Sequence, residues 1–109
     1  MKDERYILER LLESAVRIDR YIAGLDYQHF VEDQKTQDAV VMQLQVIGEL
    51  AKRVPASTRE KIDLNWKAMA GMRDVISHEY DIIDLDIGWK TATENVPEVL
   101  EKVQAFLNA

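Results

Sequence analysis

The chain has 109 residues, 14 of them Lys or Arg against 20 Asp or Glu, for a net charge of −6, and it contains no cysteine. That length fits one domain over residues 1–109 that can bury a core without staples, and the missing thiols exclude disulfides and thiolate metal sites. The acidic balance argues against gripping nucleic acid by bulk electrostatics, and with no run of eighteen or so apolar residues and a charged start (Lys2, Asp3, Glu4, Arg5) a cytoplasmic protein with no membrane segment is expected.

Helical periodicity dominates from the first residues onward. Over about 3–24, Ile7, Leu8, Leu11, Leu12, Ala15, Ile18 and Ile22 recur at helical spacing with charges on the other face, and Gly24 fits the stop. Asp26 is placed to cap a short turn over Tyr27–Glu32, with Phe30 and Val31 as its apolar contact. A second long helix is expected from about Asp33 to Val54. Its stripe is Ala39/Val40, Gln43/Leu44, Ile47, Leu50/Ala51 and Val54, flanked by Val41 and Gly48. A glycine inside a helix weakens it, so Gly48 points to a close helix–helix approach. Pro55 closes or kinks this helix.

A short turn over Ser57–Ile62 follows. Asn65 suits the N-cap of a helix beginning at Trp66, with Met69, Met72, Val75 and Ile76 facing inward. Asp81–Asp84 reads as a connection and Asp84 as the cap of the last helical stretch. Pro97 falls inside that stretch, so a break or kink is expected between Leu85–Asn95 and Glu98–Leu107. The sum is an all-α bundle of four to five helices.

Chemistry concentrates in Arg73-Asp74-Val75-Ile76-Ser77-His78-Glu79-Tyr80, just after Ala70-Gly71. Arginine carries a fixed charge and a forked donor array suited to phosphate oxygens. Histidine can take or give a proton near neutral pH. The charge distribution agrees: residues 49–73 balance to +3 (six Lys or Arg, three acids) and residues 74–109 to −6 (two Lys, eight acids). A local anion site on an acidic body is implied, and the acidic body also suits a basic protein partner.

On an ideal helix five residues turn the direction by about 140°, so Arg73 and His78 do not share a face. Asp74 and His78 do, and so do Arg73 and Tyr80. Arg73 and His78 meet if the helix ends near Ser77, or if each pair meets its copy across a dimer interface. Asp74 would then hold His78 by a hydrogen bond. The plainer reading stands beside this one: Arg73 paired with Asp74, Glu79 or Asp81, His78 as a helix C-terminal cation, and Tyr80 as half-buried core. Elsewhere, His29 beside Phe30 reads as a partly buried loop residue. Trp66 and Trp89 sit at core or interface spacing, and Glu49 and Asp63 have no partner at catalytic spacing. His29 and His78 are the only histidines, so a multi-histidine metal site in one chain is not expected, and no phosphate-binding glycine pattern supports nucleoside triphosphate hydrolysis.

Several blocks in order resemble one family. They are Val46-Ile47-Gly48-Glu49-Leu50-Ala51, then Asn65-Trp66-Lys67-Ala68-Met69-Ala70-Gly71-Met72-Arg73-Asp74, then His78-Glu79-Tyr80, and finally Asp84-Leu85 and Trp89. Together they look like the HepT toxins of the HEPN superfamily, over roughly residues 30–107 and more loosely over the first helix. The most specific part is arginine, four intervening residues, histidine, one residue and tyrosine. The resemblance implies a HEPN-type helical bundle that dimerises and sets the Arg and His of both subunits around one cleft. It also implies a metal-independent endoribonuclease needing no cofactor, with Arg73 and His78 catalytic, Asp74 orienting His78, and Ser77 with Arg73 contacting the RNA. A minimal nucleotidyltransferase antitoxin is the implied partner, silencing the toxin by transferring AMP to Tyr80. The alternative is a non-catalytic nucleotide- or RNA-binding subunit of a nucleotidyltransferase complex, and a helical interaction scaffold is a third reading.

Overall fold

The computed structural model describes the backbone of residues 4–75 and 84–109, and the side chains of 4–73 and 84–109. Among these residues every regular element is helical. The expected inward face of residues 75 and 76 and the Asp81–Asp84 connection lie outside the described residues, Asp84 itself excepted.

Helix α1 (Glu4–Ile22) buries Ile7, Leu8, Leu11, Ala15 and Ile18, as its spacing dictates, together with Ser14. It ends at Gly24, whose φ of 79° lies in the left-handed region that a side chain would strain. Asp26 caps the short α2 (Tyr27–Val31) by accepting from the His29 backbone N–H, and α2 buries Phe30 completely. Asp33 then caps α3 (Gln34–Arg53), accepting from the backbone N–H of Thr36 at 3.0 Å. Buried Gln37 ties the two helices together. Its Nε2 donates to the carbonyls of Phe30 and Val31 at 2.9 and 3.0 Å, adding to the Asp33 N–H that the Phe30 oxygen already accepts at the end of the short α2.

Helix α3 is the central element, with Val40, Leu44 and Ile47 fully buried and α1 packed along it. Val54 and Pro55 leave it in extended conformation, and a four-residue α4 (Ala56–Arg59) follows. Asn65 caps α5 (Trp66–Ala70), which tightens into a 3₁₀ turn over Gly71–Val75. Asp84 caps α6 (Leu85–Lys90) through the Ile87 N–H, and α7 (Val96–Asn108) closes the bundle against α1.

The break or kink expected between Leu85–Asn95 and Glu98–Leu107 takes the form of a change of helical register just ahead of Pro97. The chain stays helical from Leu85 to Asn108, passing through a π-helical turn at Thr91–Asn95. Pro97 falls in the first turn of α7, where a missing N–H costs little, and the π turn just ahead of it absorbs the mismatch. Thr93 Oγ1 donates to the Trp89 carbonyl at 2.8 Å inside that turn. The core is continuous from Phe30 through the α1 and α3 stripes to Val96, Val99 and Val103.

Candidate functional site

Arg73 sits in the 3₁₀ turn that continues α5. Three features hold this segment in place. The Trp66 indole N–H is shared between the carbonyls of Arg59 and Ile62, both at 3.1 Å, which locks the start of α5 onto the preceding loop. Met69 and Met72 are buried, anchoring the inner face. Gly48 on α3 lets the backbone come close: a Cβ there would stand 3.1 Å from the Ala70 carbonyl oxygen, 3.2 Å from the Arg73 nitrogen and 3.4 Å from the Arg73 Cβ. Gly48 therefore has the packing role that its place in the helix implied.

The Arg73 Nη1 meets Glu49 Oε1 at 2.8 Å, with both side chains about half exposed. Arg73 thus reaches back to α3, across 24 positions of sequence, rather than only to the acids beside it in the motif. Glu49, read from the sequence as having no partner at catalytic spacing, is an acid that holds the motif arginine. Lys52, one turn on, approaches the same oxygen at 3.8 Å. Asp63 is likewise partnered, by Lys102, whose Nζ lies 3.7 Å from its carboxylate and donates to its carbonyl at 2.7 Å. Beside Glu49, an open groove between α1 and α3 is lined by Arg10, Met42, Val46, Glu49 and Arg53. Met42 is one of the large apolar side chains left exposed among the described residues.

Of the residues singled out in the motif, Arg73 is therefore placed with its contacts. The Asp74 side chain, Ser77, His78 and Tyr80 lie outside the described residues, so the Arg73–His78 arrangement and the Tyr80 modification site rest on the sequence.

A second polar cluster lies at α2. His29 is exposed rather than partly buried, and its Nδ1 is 2.6 Å from Asp26 Oδ1. The Asp26 carboxyl is held below its ordinary pKa, first by the His29 backbone N–H and then by the ring, while the hydrogen bond that the imidazole donates to Asp26 raises the pKa of the ring. The Tyr27 hydroxyl donates to Asp86 on α6, which raises the phenol's pKa. Trp89 packs on Phe30 and edge-on to Tyr27, with ring centroids 5.1 and 6.2 Å away. This cluster joins α2 to α6 and explains the placement of Trp89 without a ligand. Among the described residues no group of three His, Cys, Asp or Glu is placed to hold a metal ion, and no helix is long and apolar enough to cross a membrane.

Comparison with known proteins places this helical arrangement. The chain is 35% identical over 108 residues to a provisionally named RNase of Caldanaerobacter subterraneus subsp. tengcongensis, covering 98% of this chain and 96% of the other. It is 32% identical over 104 residues to another provisionally named RNase, from Methanocaldococcus jannaschii, covering 94% and 95% of the two chains. It is 34% identical over 98 residues to a protein named as a probable ribonuclease HepT, from Thermococcus cleftensis, covering 89% of each. No solved structure matches. The profile of the ribonuclease HepT-like family matches residues 11–106, nearly the whole bundle including α3, the Arg73 turn and α7, and the chain belongs to that family.

Proposed function

We propose that this protein is an endoribonuclease of HEPN type, the toxin of a toxin–antitoxin pair, acting without a metal through Arg73 and His78 in a cleft between two copies of the chain. The observation that carries the reading is a family match over residues 11–106 in a chain that retains the arginine, histidine and tyrosine of the motif. The relatives' names as RNases support the activity, and the anchoring of Arg73 on α3 supports its use as a fixed cation.

The chemistry follows from the residue types. The ribose 2′-OH attacks the adjacent phosphorus, the O2′–P bond forms and the P–O5′ bond breaks. One group takes the 2′-OH proton, another protonates the departing 5′ oxygen, and a cation meets the charge that develops on the phosphoryl oxygens. One chain offers a single motif histidine. Two chains offer two, so His78 of one copy serves as base and His78 of the other as acid. Arg73 stabilises the phosphorane-like state, Asp74 orients His78, and Ser77 contacts phosphate. The net acidity is compatible with this reading because the basic residues concentrate in 49–73, the segment that ends at Arg73.

Tyr80 is the control point. An AMP group transferred there by a nucleotidyltransferase antitoxin sets a bulky anion beside Arg73 and His78 and blocks RNA by sterics and like charge. Mass spectrometry of protein co-expressed with its transferase is expected to find the added mass on the Tyr80 peptide; finding it only elsewhere rejects this part. The activity itself is tested by incubating purified protein with RNA and a chelator. His78→Ala is expected to abolish cleavage and leave the dimer intact, and undiminished cleavage by that variant defeats the assignment. An unmodified, verified dimer that cleaves nothing would favour the non-catalytic binding subunit.

A further inference from the structure

Glu49 lies outside the motif, yet it is a residue that grips the motif arginine. Helix α3 controls both ends of this contact. Gly48 admits the Arg73 backbone to the helix surface, and the next residue sets its carboxylate oxygen 2.8 Å from Nη1. The two side chains are 48% and 58% exposed, and ion pairs so exposed contribute little to stability. The pairing therefore adds little to folding, and its consequence lies in where it holds the guanidinium. Arg73 also holds the closer contact over Lys52, which reaches the same oxygen only at 3.8 Å despite standing one turn away on the same helix.

A guanidinium is a planar fork of five N–H donors. Holding one Nη on a carboxylate restricts how the whole fork can turn. A phosphoryl group entering the site then meets donors that need no reorganisation as its charge develops. The geometry points to Glu49 as a positioning residue for Arg73: its carboxylate sets the orientation in which the guanidinium meets the scissile phosphate. This inference rests on the ribonuclease reading above.

The role has a signature that a structural contact lacks. A carboxylate near the phosphate path repels RNA, and it also neutralises part of Arg73 and Lys52. Removing it should strengthen binding while slowing turnover, so KM and kcat fall together. The experiment measures kcat and KM on RNA, and melting temperature, for wild type, Glu49→Ala, Glu49→Gln and Arg73→Ala. Glu49→Ala is expected to lose about ten- to a hundredfold in kcat, the scale of a misplaced catalytic group, with KM unchanged or lower and melting shifted by only a few degrees. Glu49→Gln keeps an acceptor oxygen at the same reach and is expected to recover most of the kcat.

Wild-type kcat in Glu49→Ala, with Arg73→Ala inactive, overturns the positioning role and leaves the ribonuclease reading standing. Full activity in Arg73→Ala overturns the positioning role together with the assignment of Arg73 as the catalytic cation, while cleavage itself stands. If the wild type cleaves nothing, the ribonuclease reading falls, and nitrogen-15 NMR of the Arg73 side chain decides the positioning by itself. Rotation about Nε–Cζ that is slow in wild type and fast in Glu49→Ala supports it, and equal rates overturn it.

Discussion

Gly48→Ala separates the packing of the Arg73 turn from its chemistry. The substitution has two opposed effects on stability. Alanine is the better helix former by about 1 kcal/mol in a helix interior. The new Cβ, however, would stand 3.1 Å from the Ala70 oxygen and 3.2 Å from the Arg73 nitrogen. Both are backbone atoms, so no side chain can swing aside, and the 3₁₀ turn has to lift off α3 by a few tenths of an ångström. Overpacking of this kind costs about 1–3 kcal/mol. The balance is a net destabilisation of about 1 kcal/mol, read as a lower urea midpoint at unchanged m-value. The lifted turn also shifts Arg73 away from Glu49, so kcat on RNA is expected to fall about tenfold or more. Urea unfolding and single-turnover cleavage, run on the same preparation, check both. A variant that is more stable than wild type and fully active would refute the claim that this glycine sets the position of Arg73.

Other perturbations probe the scaffold. Phe30 is fully buried against Trp89, so Phe30→Ala should cost about 3–5 kcal/mol, measured by chemical denaturation. A cost under about 1 kcal/mol would show that α2 does not contribute to the core. Gln37→Leu removes the amide donor from the Val31 carbonyl and one of the bonds to that of Phe30, and should destabilise by about 1–3 kcal/mol in the same assay. For His29, an NMR titration should give a pKa above the ordinary 6.5, returning toward it in Asp26→Asn, which preserves the helix cap. The sign of its linkage follows. The raised histidine contributes stability that is fully present below its unfolded pKa and is lost as pH rises through the folded one. The depressed Asp26 contributes stability present above its unfolded pKa of about 3.8 and lost as pH falls through the folded one. The pair is strongest between those limits, and a flat His29 pKa in Asp26→Asn would dismiss it.

The elements were legible where the determining physics is local. Asp26, Asn65 and Asp84 were readable as caps because each side chain bonds an N–H three residues on. The α1 stripe and the Gly24 stop were readable from periodicity and backbone sterics, and Gly48 announced a close approach, although not by which segment. The residues that sequence reading missed act across distance. Gln37 bonds carbonyls of a helix it follows, and Glu49 finds Arg73 only after the chain has folded back 24 positions. Glu49 stood inside the Ile-Gly-Glu block that marked the family, and that was the one signal available for it. His29 was misjudged because its neighbour Phe30 is buried, whereas its own ring turns to Asp26. Pro97 signalled a disturbance correctly, but a proline in the first turn of a helix needs only the register change that the π turn provides. The rest of the site, Asp74 through Tyr80, was legible as a motif, and its meaning came from the family.

The most direct test of the central claim is the chemistry of the cut ends. RNA incubated with purified wild-type protein and chelator should yield 5′-hydroxyl termini and 2′,3′-cyclic phosphates, or the 2′- or 3′-phosphates left when water opens the cyclic ester, since the 2′-OH displaces the 5′ oxygen. The same ends should vanish with His78→Ala. Products ending in 3′-hydroxyl and 5′-phosphate, or identical cleavage by the variant, would contradict an Arg73–His78 ribonuclease.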